Sequence, residues 1–473
     1  MRAQAPRTSA PGAIRGFVSF TATTSPARFA ILVFTAFILA LTAVLSLPIA
    51  TTARSATPLA DALFTAVSSI CVTGLSTVDM ATHWSTFGNV AILIGLEVGG
   101  IGVLTMASLL GLVVSRRLRL RTKLMAASDT NPLRLHQGPV AEGQAVRLGE
   151  MGGLLATVAI SVFAIELAIT ALITPRLLLA GDDLWTATWQ GFYLATSAFT
   201  NTGFVPDAEG LAPFASDPWM LGAISLAVFL GSLGFPVIFA LARRARGKHR
   251  LSMHVKLTLI TTGTLIVLGA LALFALEWNN PATLGAQAPA VRPMTASFLS
   301  IMTRSGGFST VDISEMHGSS LMVMDMLMFV GGGSASTAGG IKVTTLAVLF
   351  LAAFAEARGD ANMQVFGRRI PSDVLRLAVS VVLWGATVVA VSTIAVLQTS
   401  DQPLDLVLFD VISAFGTCGL STGVTGALPD AGKYILSATM WAGRVGTVTL
   451  AAALAASQRR QLFRYSEERP IVG

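Results

Sequence analysis

The sequence predicts an all-α integral membrane protein: eight transmembrane helices and four re-entrant loops, arranged as a pseudo-fourfold repeat of helix, loop and helix around one axis. Three observations predict it. Of 473 residues, 53% are hydrophobic and only 12% are charged, with a mean hydropathy of +0.70, a balance too apolar for a soluble globule. The basic residues fall in clusters between apolar stretches. A short glycine-centred pattern recurs four times, each time in the same place relative to those stretches.

Crossing a hydrocarbon layer of about 30 Å takes roughly 20 helical residues, and 29–49, 90–114 and 154–173 are the first of several stretches that suffice. The first is too long for the apolar core of a signal peptide, so no cleavage is expected. The basic clusters are Arg116, Arg117, Arg119, Arg121 and Lys123; Arg243, Arg244, Arg246, Lys248, His249 and Arg250; Arg358, Arg368 and Arg369; and Arg459, Arg460, Arg464 and Arg469. The positive-inside rule places them, with Arg2, Arg7, Arg15 and Arg28, on the cytoplasmic side. Intervening segments carry Asp182, Asp183, Asp207, Glu209, Asp217, Asp312, Glu315, Asp401, Asp405 and Asp430 and are expected outside. A net charge of +7 could point to nucleic acid, but these cations are neither gathered on one soluble domain nor interleaved with aromatics. The expected partner is the lipid bilayer, and no nucleic acid.

The repeats are AVSSICVTGLSTVD at 66–79, ATSAFTNTGFVPD at 195–207, SIMTRSGGFSTVD at 300–312 and ISAFGTCGLSTGVT at 412–425, which align without gaps on Gly74, Gly203, Gly307 and Gly419. The apolar piece before each glycine is too short to span, which indicates a half-helix. Spans precede it at 30–47, 156–172, 257–276 and 375–397, and follow it at 90–114, 221–241, 321–354 and 435–456. The chain therefore divides into a cytoplasmic N-terminus (1–28), repeat 1 (29–125), repeat 2 (149–250), repeat 3 (251–358), repeat 4 (372–458) and a cytoplasmic tail (459–473). An even number of spans per repeat returns the chain to the side where every basic cluster falls.

Non-helical backbone at membrane depth survives only when buried in protein or lining a wet cavity. Four equivalent turns that meet around an axis satisfy this, with carbonyls pointing inward, and carbonyl rings replace the hydration shell of K⁺ in known filters. The loops hold Thr, Asn and Ser but almost no formal charge, which suits a monovalent cation. The candidate filter is Val72, Thr73, Gly74, Asn201, Thr202, Gly203, Ser305, Gly306, Gly307, Thr417, Cys418 and Gly419. Cys71 and Cys418 offer neither a metal spacing nor a disulfide framework and read as small residues at the filter. Gly306 beside Gly307 removes a side chain and is expected to loosen that quadrant.

The loops VTGL, NTGF, SGGF and TCGL resemble those of the Trk/Ktr/HKT superfamily of potassium transporters over nearly the whole chain. Within it the chain is most similar to KtrB-type subunits, because the first loop follows the first span directly, whereas TrkH-type proteins carry an additional helix pair. The resemblance implies K⁺ uptake across a bacterial plasma membrane with both termini cytoplasmic, Na⁺ stimulation, and no enzyme activity. It also implies a homodimer seated on a cytosolic ring of KtrA-like RCK subunits that bind ATP or ADP, with no cofactor on this chain itself. Gly at all four loop positions goes, by the same resemblance, with K⁺ over Na⁺.

FVGGGSASTAGGIKVTT at 329–345 is similar to the family's intramembrane gating loop, expected here at 330–342. Its candidate residues are Gly331, Gly332, Gly333, Ser334, Ala335, Ser336, Thr337, Ala338, Gly339 and Gly340, with Lys342 just beyond. The residues alone read the same way, since such a run cannot hold a stable helix. Arg444, midway along the last span, matches the family's arginine below the filter, and an intramembrane charge is a functional candidate on its own account. Glu97 stands where relatives more often carry Gln; pairing with Arg444 or Lys342, or a protonated carboxyl, are the open roles. Glu166 reads as a packing partner inside the bundle. The competing readings are a pore that conducts Na⁺ and K⁺ together and a broken-helix secondary transporter. An intramembrane enzyme would need a nucleophile and base or a metal cluster, and all five histidines fall in loops or near ends.

Overall fold

The computed structural model describes residues 26–102, 150–207, 210–247, 250–360 and 362–446. The basic cluster at 116–123, the N-terminal residues 1–25 and the expected tail at 459–473 lie outside them. The described chain is almost wholly helical.

It begins with α1 (Pro26–Leu45), a short α2 (Leu59–Ile70) and α3 (Thr86–Gly102). Then follow α4 (Glu150–Ala180), α5 (Leu184–Phe199), α6 (Pro218–Leu233) and α7 (Phe235–Ala245). The third group is α8 (Met253–Glu277), α9 (Arg292–Met302), α10 (Gly318–Phe329) and α11 (Val343–Ala357). A two-stranded antiparallel hairpin, β1 (Gln364–Val365) with β2 (Arg368–Arg369), leads to α12 (Ser372–Leu397), α13 (Leu404–Gly416), the single turn α14 (Val424–Ala427) and α15 (Asp430–Trp441).

Local chemistry sets the starts. The carboxylates of Asp183 and Asp217 accept the free amides at the head of α5 and α6, and the Ser252 hydroxyl accepts one at α8, as N-caps do. Among the described residues, 157–180, 253–277 and 372–397 are long and apolar enough to cross a membrane. The outward faces are apolar: Leu39, Ile94, Leu268, Leu383 and Ile394 are each more than half exposed. The interior is the reverse, for Thr65, Ser68, Thr73, Ser197, Thr202, Ser300, Ser413 and Thr417 are fully buried. A chain that puts leucine outside and hydroxyls inside belongs in a bilayer.

Three expected spans are not continuous α-helices. The stretch 221–241 is not one helix: α6 ends at Leu233 and α7 leaves at an angle of 105°. Gly234 takes φ +87° there, and Pro236 in the first turn of α7 can neither donate a ladder bond nor continue α6. In the last span, α15 passes into a π turn, Ala442–Gly446, that carries Arg444, and 447–456 lie outside the described residues. The stretch 321–354 is interrupted between α10 and α11 at the glycine run.

Candidate functional site

Each of the four short helices α2, α5, α9 and α13 ends about one turn before its loop glycine, and the four loops meet. A Cβ added to Gly203 would lie 2.6 Å from Gly307 Cα and 2.9 Å from Gly306 O. One added to Gly307 would lie 2.6 Å from Thr202 O and 2.8 Å from Cys418 O. On Gly419 it would strike Thr73 O and stand 2.8 Å from Thr202 O, and on Gly74 it would strike Thr202 O. Thr73, Thr202, Gly306 and Cys418, the residues immediately before the glycines, thus bring their carbonyls to one narrow axis.

The backbone repeats more faithfully than the side chains. Gly74, Gly203, Gly307 and Gly419 have φ of +94°, +89°, +76° and +94°, and two residues earlier Val72, Asn201, Ser305 and Thr417 have φ of +56°, +63°, +77° and +47°. A strand with φ always negative sends successive carbonyls to opposite sides; left-handed residues at alternate positions turn them to the same side. The left-handed region costs a non-glycine residue roughly 1–2 kcal/mol, and for β-branched Val72 and Thr417 it is a true outlier. Strain repeated at four equivalent positions marks a functional constraint.

Buried hydrogen bonds hold the turns. Thr73 N donates to Ser68 O at 2.7 Å, Thr202 N to Ser197 O at 2.8 Å and Cys418 N to Ser413 O at 2.8 Å. The serines six residues before the glycine in loops 1 and 4 add their hydroxyls, with Gly74 N donating to Ser68 Oγ at 3.0 Å and Gly419 N to Ser413 Oγ at 3.1 Å. Sequence reasoning passed over these serines, although their recurrence at one spacing in three repeats was a usable signal. In loop 3 that position is Ile301. Gly306, expected to loosen its quadrant, does the opposite: a Cβ there would meet Met302 Sδ at 2.7 Å and Val228 Cγ1 at 2.9 Å, so the glycine permits close packing.

The segment 331–340 lies directly against these loops. Thr337 Oγ1 donates to Asn201 Oδ1 at 2.9 Å, and Gly339 N donates to Ser305 Oγ at 3.3 Å. Gly333 N donates to Ser232 O at 2.7 Å, and the bend at Gly234 seats Phe235 N on Ala335 O at 3.3 Å. Arg444, buried, donates to Thr337 O. Lys342 Nζ turns back to Ala338 O at 2.6 Å. Cys71 and Cys418 are free and fully buried, the latter within loop 4 with Sγ donating to Met302 O at 3.3 Å.

Glu97 makes no ion pair with Arg444 or Lys342; its carboxyl is a near neighbour of the Glu166 carboxyl on α4, and the oxygens of both are buried without a hydrogen-bond partner in the protein. Arg304, one residue before loop 3's left-handed Ser305, is fully buried and was missed, because in sequence it reads as an ordinary polar residue beside a glycine pair. On the loops flanking the site, Asp79 is held below its ordinary value chiefly by the Ala81 amide, and Asp183 by the Thr186 hydroxyl. A ring of uncharged carbonyl dipoles of this kind suits a small cation.

Comparison with known proteins agrees. Residues 13–463 match the family model TrkH, described as cation transport protein. The chain is 33% identical over 453 residues to Ktr system potassium uptake protein D of Bacillus subtilis (strain 168), covering 95% of this chain and 97% of that protein. It is 30% identical over 448 residues to Ktr system potassium uptake protein B of Vibrio alginolyticus, covering 94% of each. It is 29% identical over 437 residues to Potassium/sodium uptake protein NtpJ of Enterococcus hirae, covering 91% of this chain and 93% of that protein. The crystal structure of the potassium transporter TrkH from Vibrio parahaemolyticus shares the fold, with a TM-score of 0.66 and 17% identity over 90% of this chain and 84% of that one. The protein is a multi-pass membrane protein and belongs to the TrkH family of cation transport proteins.

Proposed function

We propose that this chain is the translocating subunit of a Ktr-type K⁺ uptake system, with the four loops as its selectivity filter. The observation that carries the reading is the shared pair of left-handed residues in all four loops, closing on one ring of carbonyls. A K⁺ ion entering the ring exchanges water for carbonyl oxygens. The C-terminal ends of α2, α5, α9 and α13 point their partial negative charge toward it. Ionised Asp79 and Asp183 on the outer side raise the local cation concentration.

In this reading the chain has eight spans, counting α6 with α7, α10 with α11, and α15 with its continuation as one each, and four re-entrant helices. Both termini and all basic clusters lie in the cytoplasm. The segment 330–342 with Arg444 is the gate, blocking the path beneath the filter. A homodimer carries a cytosolic nucleotide-binding ring of RCK subunits, whose ATP or ADP state moves that gate, and Na⁺ stimulates uptake. The Enterococcus hirae relative, a potassium/sodium uptake protein by name, favours one alternative, a pore that passes Na⁺ together with K⁺.

The test is growth of a cell lacking K⁺ uptake at low external K⁺, with and without a co-expressed RCK subunit. Rescue that needs the RCK subunit supports the whole reading. Rescue without it supports the pore and removes the partner, and no rescue with either, at verified membrane expression, removes the K⁺ assignment. Tracer Na⁺ uptake in the same cells decides the alternative.

A further inference from the structure

Loop 3 lacks the support that loops 1 and 4 receive from their own pore helix. In those loops the glycine amide is pinned by Ser68 Oγ and Ser413 Oγ. Loop 3 has Ile301 at the equivalent position, and Gly307 N has only a long contact, 3.4 Å, to Met302 O. Beyond the bond of Gly306 N to Met302 O at 2.7 Å, its anchors lie elsewhere. Arg304, 1% exposed, donates Nη2 to Gly331 O at 2.8 Å, the first residue of the glycine run. Ser305 Oγ accepts Gly339 N near the run's other end at 3.3 Å. Two consecutive residues of one filter loop therefore hold both arms of the segment 331–340.

Arg304 is not retained for an ion pair. Among the described residues no carboxylate pairs with it, and its Nε and Nη1 have no protein acceptor. A guanidinium with one of five donors used is a costly way to fill a protein interior. Its one bond gives it a role that an apolar side chain of similar volume cannot supply.

We infer that Arg304 is a positioning residue that ties loop 3 of the filter to the gating segment at Gly331, so that losing this one bond disturbs both the K⁺ preference and the seating of the segment. This rests on the pore reading above. Without the Arg304 bond, loop 3 is left with Gly306 N on Met302 O and Ser305 Oγ on Thr417 O, and has no serine hydroxyl on its glycine amide such as loops 1 and 4 have.

The experiment is tracer flux in proteoliposomes without the cytosolic partner, comparing wild type, Arg304→Met and Arg304→Lys, each normalised to folded protein by size-exclusion and thermal melting. Coupling predicts that Arg304→Met raises K⁺ flux about fivefold or more and lowers its K⁺/Na⁺ ratio about fivefold or more, within the range usual for linked sites. Arg304→Lys, which keeps a donor and the charge, restores most of both. A merely structural role changes the yield and leaves the ratio per folded molecule alone, and that result overturns the inference. Should Arg304→Met not fold, Arg304→Gln serves in its place, and an unchanged ratio there overturns the inference equally. Wild-type vesicles that carry no K⁺ would sink the pore reading, whereas wild-type flux beside an indifferent Arg304→Met sinks the coupling alone.

Discussion

Replacing Gly74 with serine tests the filter most directly. Gly74 sits at φ +94°, where side chains are rarely tolerated, and any Cβ there strikes the carbonyl of Thr202 across the axis. The ring cannot simply shift, because Gly419 Cα stands 3.3 Å from the same point. Holding a non-glycine residue in such a region costs about 1–3 kcal/mol. If that strain is relieved by moving one carbonyl away from its K⁺ distance, discrimination falls by the equivalent factor, about 5- to 150-fold. The K⁺/Na⁺ flux ratio of reconstituted Gly74→Ser should drop within that range, with total K⁺ flux lower as well.

The control is Gly222→Ser on α6, where an added Cβ meets no atom within 4 Å and φ is ordinary. Both flux and ratio should match wild type there. A Gly74→Ser protein with unchanged ratio and unchanged flux would falsify the carbonyl-ring assignment. A Gly222→Ser protein as damaged as Gly74→Ser would show that glycine content, not loop geometry, is being measured.

Three further perturbations read other parts of the site. Thr337→Val removes the hydroxyl that donates to Asn201 Oδ1 at 2.9 Å; partner-free K⁺ flux should rise severalfold, and an equally silent variant argues against a seated gate. Gly234→Ala forces a Cβ within 2.7 Å of Ser334 O at φ +87°, so melting of the purified protein should show a loss of roughly 1–3 kcal/mol. Buried Asp61 on α2 accepts from Lys433 Nζ of α15 at 2.7 Å and from Thr77 Oγ1 at 2.6 Å. A double-mutant cycle of Asp61→Asn with Lys433→Met should give a coupling of about 1–3 kcal/mol in thermal unfolding, and additivity would deny the contact an energetic role.

The loops were legible because their chemistry is local. Glycine at a fixed spacing, a short apolar piece before it and a long one on each side can be aligned by eye, and the φ pattern at Val72 and Gly74 recurs at Asn201 and Gly203. The glycine run at 331–340 was legible for the same reason. The bend at Gly234 was not, since one glycine before a proline in an apolar stretch is also what an unbroken membrane helix tolerates; only contact with Ala335, a hundred residues away, decides it. Arg304 and the approach of Glu97 to Glu166 were hidden likewise. The partner of Arg304 lies 27 residues on, beyond the break in the same repeat, and that of Glu97 lies in another, and periodicity carries no trace of either.

The placement of the protein's own cations bears on how the proposed gate closes. Arg304 donates to Gly331 O, Arg444 to Thr337 O, and Lys342 to Ala338 O at 2.6 Å. All three bonds end on carbonyls of one ten-residue segment beneath the carbonyl ring. Unoccupied, those oxygens would offer a dehydrated K⁺ further ligands of the kind the filter provides. Occupied by guanidinium and ammonium groups, they present the ion with positive charge instead, and repulsion is strong where water is scarce. Closure on this view is competition as well as obstruction. Opening then requires the cations to withdraw from the carbonyls together with the segment, which is why cations of repeats 3 and 4 converge on it.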